Sequence, residues 1–259
     1  MSAFFGELQG LRIKPIPPLQ SARERRKNYR SHPIDTRGER HAEKLVDLLH
    51  LGIRGENFYN RVDNAPYYQR IPGSDARLLL RESVAARLGE VDERLRGVGL
   101  QIHVHDALRP VAVQKYFHDE WMPARVREKL PKLTNAEVVI EVEKYWAAPT
   151  MSPLSPAPHS TGGAVDLTLS MSRNSEPLYM GSIFDDVTDL AHTDFFEVRP
   201  ELISYSDIEA RQNRRLLYWV MAEAGFANNP NEWWHFSWGD QMWARLMEID
   251  AAVFGLASE

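Results

Sequence analysis

The sequence predicts an α+β fold, with a mostly antiparallel central sheet flanked by helices. It forms one domain over residues 41–259, preceded by an extension over residues 1–40. Three observations lead there. Short alternating stretches such as Leu100-Gln101-Ile102-His103-Val104-His105 read as strands with one buried face. Longer stretches carry apolar residues at helical spacing, as in Val84, Leu88, Val91 and Leu95. The two kinds do not alternate as they would in a doubly wound parallel sheet. A chain of 259 residues, 43% hydrophobic and 26% charged, has ample material for a single buried core.

Residues 1–40 mix Pro15, Pro17 and Pro18 with a basic cluster and show no clean period, which reads as a poorly packed arm. A free arm also offers a contact to a second copy, so a homo-oligomer is carried as an alternative. A short helix is expected over 42–49, then strand and loop over 55–71. Ser74 is read as the N-cap of the helix bearing Val84 to Leu95, which Gly97 and Gly99 end. After the strand at 100–105, Pro110 opens a helical region over 111–147 that breaks at Pro131. Pro149, Pro153, Pro156 and Pro158 impose an extended approach to a strand over 164–169. A long helix over 207–224 stops at Gly225. Asn228-Asn229-Pro230-Asn231 turns the chain into a last strand, and a helix over 240–253 closes it.

Several functions are disfavoured from the start. The net charge of −5 argues against a broad nucleic-acid surface. No apolar run is long enough for a secretory signal or a membrane span, so the expectation is a cytoplasmic protein with no membrane partner. The absence of cysteine removes disulfides, thiolate metal sites and a cysteine nucleophile. Neither a Gly-x-Ser-x-Gly elbow nor a His-Glu-x-x-His helix is present.

The chemistry concentrates in Pro158-His159-Ser160-Thr161-Gly162-Gly163-Ala164-Val165-Asp166. Two glycines let the chain turn and bring an imidazole and a carboxylate to one point. In the strand, Val165, Leu167 and Leu169 share one face, and Asp166 takes the other between Ala164 and Thr168. The bland readings are a solvated loop histidine and an exposed carboxylate. His235, in Glu232-Trp233-Trp234-His235, is the candidate third ligand, against an aromatic core with a satisfied histidine. Two histidines and a carboxylate suit zinc, one ion per chain, and leave a position for water. For Glu232 to share that site it must sit in the turn before the strand. Apolar neighbours would there poise it as a general base. Arg109, held by Pro110, could stabilise an oxyanion without proton transfer; otherwise it forms a structural ion pair.

These segments, in this order, resemble the VanX-type D-alanyl-D-alanine dipeptidases, zinc metallopeptidases sharing a fold with lysostaphin and the hedgehog signalling domain. His159-Ser160-Thr161-Gly162-Gly163-Ala164-Val165-Asp166-Leu167-Thr168-Leu169 is similar to the family's His-Ser-Arg-Gly-x-Ala-x-Asp-Leu-Thr-Leu. Glu232-Trp233-Trp234-His235-Phe236, Asp106-Ala107-Leu108-Arg109-Pro110, Met180-Gly181-Ser182 with Phe184-Asp185, and Gln212-Asn213-Arg214-Arg215 also match. The resemblance covers roughly residues 55–240. It implies His159, Asp166 and His235 as zinc ligands, Glu232 as proton shuttle and Arg109 facing the scissile carbonyl oxygen. It also implies Asp185 near the substrate's free amino group. The expected substrate is a small dipeptide, most of all D-Ala-D-Ala. A D,D-carboxypeptidase of the same fold and a zinc-containing binding protein are the alternatives. The chain departs from the family at Ala157-Pro158, where a Ser-Ser pair is usual, and at Gly52, about where a tyrosine on the amine side is expected. Thr161 replaces the usual Arg and Leu108 the usual Tyr.

Overall fold

The computed structural model describes residues 2–143, 145–199 and 204–258, leaving aside the side chains of residues 2–5 and 7. Two sheets organise it. A small antiparallel pair joins β1 (Leu45–Asp47) to β3 (Leu79–Arg81). The main sheet has five strands in the order β2-β4-β5-β7-β6: Arg54–Gly55, Leu100–Asp106, Ala164–Met171, His235–Ser237 and Ala227–Asn228. The β2–β4 pair is parallel and the other three pairs are antiparallel. The sheet is therefore mixed, which amends the expectation of a mostly antiparallel one. A two-residue edge strand such as β2 is too short to show a period in sequence.

Register places the site. Asp166 on β5 stands opposite Asp106 on β4 and opposite His235 on β7. Directly paired residues project to the same side of a sheet, so three polar side chains line up across three strands. A bulge between Val104 and Asp106 shifts β4 just before this row and re-aims its last residue.

The helices cover the apolar surface. On α3 (Glu82–Arg96), Val84, Leu88, Val91 and Leu95 are all buried, as their spacing demanded. The buried Asp92 carboxylate accepts from the Ile102 amide at 2.8 Å and ties this helix to β4. The α3 N-cap is Arg81, not Ser74, because β3 intervenes between them. The helix expected over 42–49 is also absent: the chain forms a 3-10 turn at Glu39–Ala42, then β1 and another 3-10 turn at Leu48–Leu51. Pairing with β3 outweighs the weak local helical pattern there.

The region 111–147 divides into α4 (Val111–Tyr116), a π-helical turn (Phe117–Trp121), α5 (Met122–Lys129) and α6 (Asn135–Val142). Thr134 and Glu137 form a capping box that restarts the helix after Pro131. Further on, α7 (Tyr205–Glu223) precedes β6. The closing helix α8 (Gln241–Leu246) is much shorter than the 240–253 expected. Glu248 has a left-handed backbone at φ 57°, and Ala252 leaves to pair with Ile34.

The arm is not poorly packed. Within α1 (Ser2–Ile13), Leu8 and Leu11 are buried in the main core, and the helix lies against α7. The short α2 (Gln20–Arg26) follows. Its Arg23 bonds to the Asp194 carboxylate at 3.1 Å, and Lys14 sits 3.4 Å from the Trp219 ring centre. These contacts join residues about 170–205 apart in sequence, which a local pattern search does not reveal.

Candidate metal centre

The loop before β5 is shaped by small residues. A 3-10 turn, Pro158–Thr161, ends at Gly162, whose φ of +73° favours glycine. At Gly163 a Cβ would stand 2.7 Å from the Trp238 carbonyl oxygen, so no larger residue fits without moving β7. The Thr161 hydroxyl donates to the Pro158 carbonyl at 2.6 Å and accepts from the Gly163 amide at 2.9 Å. Arg81 on β3 clamps the loop by donating its Nε to the Thr161 carbonyl at 2.8 Å.

This loop and the strand register bring three ligand-type atoms together. His159 Nε2 lies 3.2 Å from Asp166 Oδ1, His235 Nδ1 lies 3.0 Å from the same oxygen, and the two nitrogens are 3.0 Å apart. A tetrahedral ion bound at about 2.0–2.1 Å needs ligand atoms roughly 3.3 Å apart, so the triangle is close to the size of a zinc site. A backbone carbonyl fixes the tautomer of His159. His159 Nδ1 lies 2.8 Å from the Ala107 carbonyl, which it can reach only as a donor, leaving Nε2 with its lone pair. His235 Nε2 lies 3.3 Å from the Ser237 hydroxyl, leaving Nδ1 for the centre. All three residues are buried, and Asp166 Oδ1 has no hydrogen-bond partner. A buried carboxylate oxygen without a donor, facing two imidazole lone pairs, is a site built for a cation. Burial opposes charge on Asp166, but His159 and His235 outweigh it and hold the carboxyl below its usual range.

Arg109 is the second component. Its Nε donates to Asp106 Oδ2 at 2.8 Å, and its Nη2 reaches Tyr59 Oη and Asp166 Oδ2, each at 3.2 Å. The guanidinium lies 4.9 Å from the Tyr59 and Trp146 ring centres. Desolvation disfavours its charge, yet Tyr59, Asp106, Asp166 and Asp185 outweigh that, so it remains a permanent cation. The ion pair expected as the structural alternative is present, and one of its partners, Asp166, belongs to the candidate metal triad.

Glu232 lies in the turn before β7, where its amide donates to the Asn229 carbonyl at 3.0 Å. The Asn229 side-chain amide donates to Glu232 Oε2 at 2.8 Å, and that oxygen is 3.6 Å from His235 Nδ1. Asp185 stands at another part of the cavity with a left-handed backbone, φ 59°, which Asp tolerates better than most residues. Its loop is held by Arg214 of α7, which donates to the carbonyls of Met180, His192 and Leu190 at 2.6–2.7 Å. Tyr59 and Tyr67 donate to Asp185 Oδ2 at 2.7 and 2.8 Å. Burial, opposed by Arg109, pushes the Asp185 carboxyl up to about 7.

All six residues singled out from the sequence line one cleft or its wall. It encloses about 630 Å³ of empty space, open mouth included. Tyr59, Tyr67 and Asp106 were missed. Tyr59 and Tyr67 lay in a stretch read as strand and loop, and their carboxylate partner is 126 and 118 residues away. Gly52, where a tyrosine was expected, caps an exposed turn, and the tyrosines bonded to Asp185 are Tyr59 and Tyr67.

Comparison with known proteins agrees with this geometry. The model of the Peptidase_M15 family, described as D-ala-D-ala dipeptidase, matches residues 42–252. A D-alanyl-D-alanine dipeptidase of Synechocystis sp. is 41% identical over 107 residues, 40% of this chain and 43% of that protein. One of Enterococcus faecium is 33% identical over 87 residues, 34% of this chain and 39% of that protein. The chain thus matches less than half the length of these relatives. A solved vancomycin-resistance D,D-pentapeptidase VanY, in complex with Zn(II), aligns over 84% of this chain and 93% of its own. Its TM-score is 0.38 at 14% identity, too low to bear on the chemistry. The family match, spanning most of the chain and every residue of the metal triad, shows that the chain belongs to the Peptidase_M15 D-Ala-D-Ala dipeptidase family.

Proposed function

We propose that this protein is a zinc dipeptidase that hydrolyses D-Ala-D-Ala or a similar small dipeptide. The observation that carries the reading is the convergence of His159, Asp166 and His235 on one point, with Arg109, Glu232 and Asp185 around the same cleft. The names of the relatives support the choice of substrate. His159, Asp166 and His235 would hold the ion. When bound, zinc lowers the pKa of a water ligand to about 7 and polarises a carbonyl.

The chain's own residues supply the rest. Asp185, oriented by Tyr59 and Tyr67, receives the substrate's ammonium group and sets the scissile bond one residue away. The Arg109 guanidinium stabilises the negative charge that develops on the carbonyl oxygen. Glu232 takes a proton from the attacking water as the carbon–oxygen bond forms. It returns that proton to the amide nitrogen as the carbon–nitrogen bond breaks, so two free amino acids leave and Glu232 is regenerated. Asn229 keeps its carboxylate aimed during both transfers. A cytoplasmic place of action belongs to this proposal; no helix among the described residues is long and apolar enough to cross a membrane.

Two variants test the assignment. Glu232→Ala should keep one zinc per chain and lose turnover by about 10²–10⁴-fold. His159→Ala should lose stoichiometric zinc as measured by metal analysis after dialysis. Substantial turnover in Glu232→Ala would remove that residue from the mechanism.

A further inference from the structure

The cleft has a wall that the family match does not contain. Arg26, the last residue of α2, and Tyr29, which opens a 3-10 turn at Tyr29–Ser31, line it together with Arg109, His159, Glu232 and His235. Both precede the matched residues 42–252. We propose that the N-terminal arm completes the cleft, with Arg26 as counter-ion for the substrate's terminal carboxylate and the Tyr29 hydroxyl as a second donor. This rests on the dipeptidase reading and extends it.

Three features support the assignment. The arm is fixed over the cleft. Tyr29 packs with Ala227, Met242 and Leu246, and Gln241 Nε2 donates to the Arg30 carbonyl at 3.0 Å. The polar groups it brings are also unsatisfied. Arg26 Nε and the Tyr29 hydroxyl are buried without a hydrogen-bond partner, and Arg26 makes no ion pair among the described residues. Both groups line the cleft and are open to a ligand that enters it. Arg109 does not serve this purpose, since Asp106 and Asp166 already engage it.

The charges are also divided. Tyr29 packs on Ala227 of β6, the edge strand beside β7, and the turn that joins these two strands carries Glu232. Asp185 is bonded by Tyr59 and Tyr67 and feels Arg109. A zwitterionic dipeptide is the shortest peptide that offers an ammonium group to one side and a carboxylate to the other. A longer C-terminal extension would place a neutral amide against Arg26. The arm therefore reads the end of the substrate that Asp185 does not.

The test compares D-Ala-D-Ala with its C-terminal amide on the zinc-loaded full chain. It uses steady-state kinetics and, in a Glu232→Ala background, calorimetric binding. With Arg26 present, the free carboxylate should be preferred about 10- to 100-fold in KM and in Kd. In Arg26→Ala the preference should collapse, with kcat and the amide's affinity little changed. Arg26→Lys should restore part of it. Arg26→Gln repeats the measurement if the alanine variant does not fold. An undiminished preference in Arg26→Ala, or an equal loss for both ligands, overturns the assignment and leaves the dipeptidase reading intact. A wild-type protein that cleaves neither compound overturns both.

Discussion

Asp185 shows how one residue's surroundings set a measurable property. Its carboxyl, ordinarily near 3.8, is pushed up to about 7 by burial. Below that pH it is neutral and cannot pair with an ammonium group. KM for a free dipeptide should therefore rise as pH falls below about 7, and Asp185→Asn should flatten that dependence while raising KM throughout. The stability effect has the opposite slope. Between about 4 and 7 the native state holds a proton that the unfolded chain lacks, so wild-type stability falls as pH rises through this window. The Tm of Asp185→Asn relative to wild type should thus be higher at pH 8 than at pH 4, as scanning calorimetry would show. An unchanged difference would mean that the carboxyl titrates in its ordinary range.

At the scale of elements, the loop and strand carrying His159 and Asp166 were the most legible part of the chain. Two glycines and an alternating strand constrain the backbone so tightly that the side-chain directions follow. Gly163 is where this constraint can be tested. An added Cβ would meet the Trp238 carbonyl, and the Gly163 carbonyl accepts the Trp238 amide at 2.8 Å. Gly163→Ala should cost about 1–3 kcal/mol as an overpacked site. It should also weaken zinc binding, because it displaces β7 and the His235 that β7 carries. A denaturation midpoint equal to wild type would show that β7 yields freely. Glu232 was equally legible, since opposite faces for residues three apart forced it into the turn. The errors fell where tertiary pairing overrides local pattern. Residues 45–47 became a strand because β3 was available, and the closing helix stopped early because Ala252 pairs with Ile34.

At the scale of the molecule, sequence reasoning named the three residues that converge but not what encloses them. Tyr59, Tyr67, Arg26 and Tyr29 reach the cleft only through contacts that a single chain read in order does not display. The arm over residues 1–40 lacks a helical or strand period, yet it packs Leu8 and Leu11 into the core and sets Tyr29 beside α8. A proline-rich basic segment reads as loose because its partners, in α7 and α8, lie at the other end of the chain. The molecule is thus a mixed sheet with the polar row Asp106, Asp166 and His235 across its strands, closed on one side by the Asp185 loop and on another by the arm. The most direct test is the rate at which the zinc-loaded protein cleaves free D-Ala-D-Ala against N-acetyl-D-Ala-D-Ala. Turnover of the free dipeptide, with the acetylated compound cleaved at least about a hundredfold more slowly for want of an ammonium partner for Asp185, is the predicted result. Equal or faster cleavage of the acetylated compound would contradict it and assign the protein to carboxypeptidase chemistry.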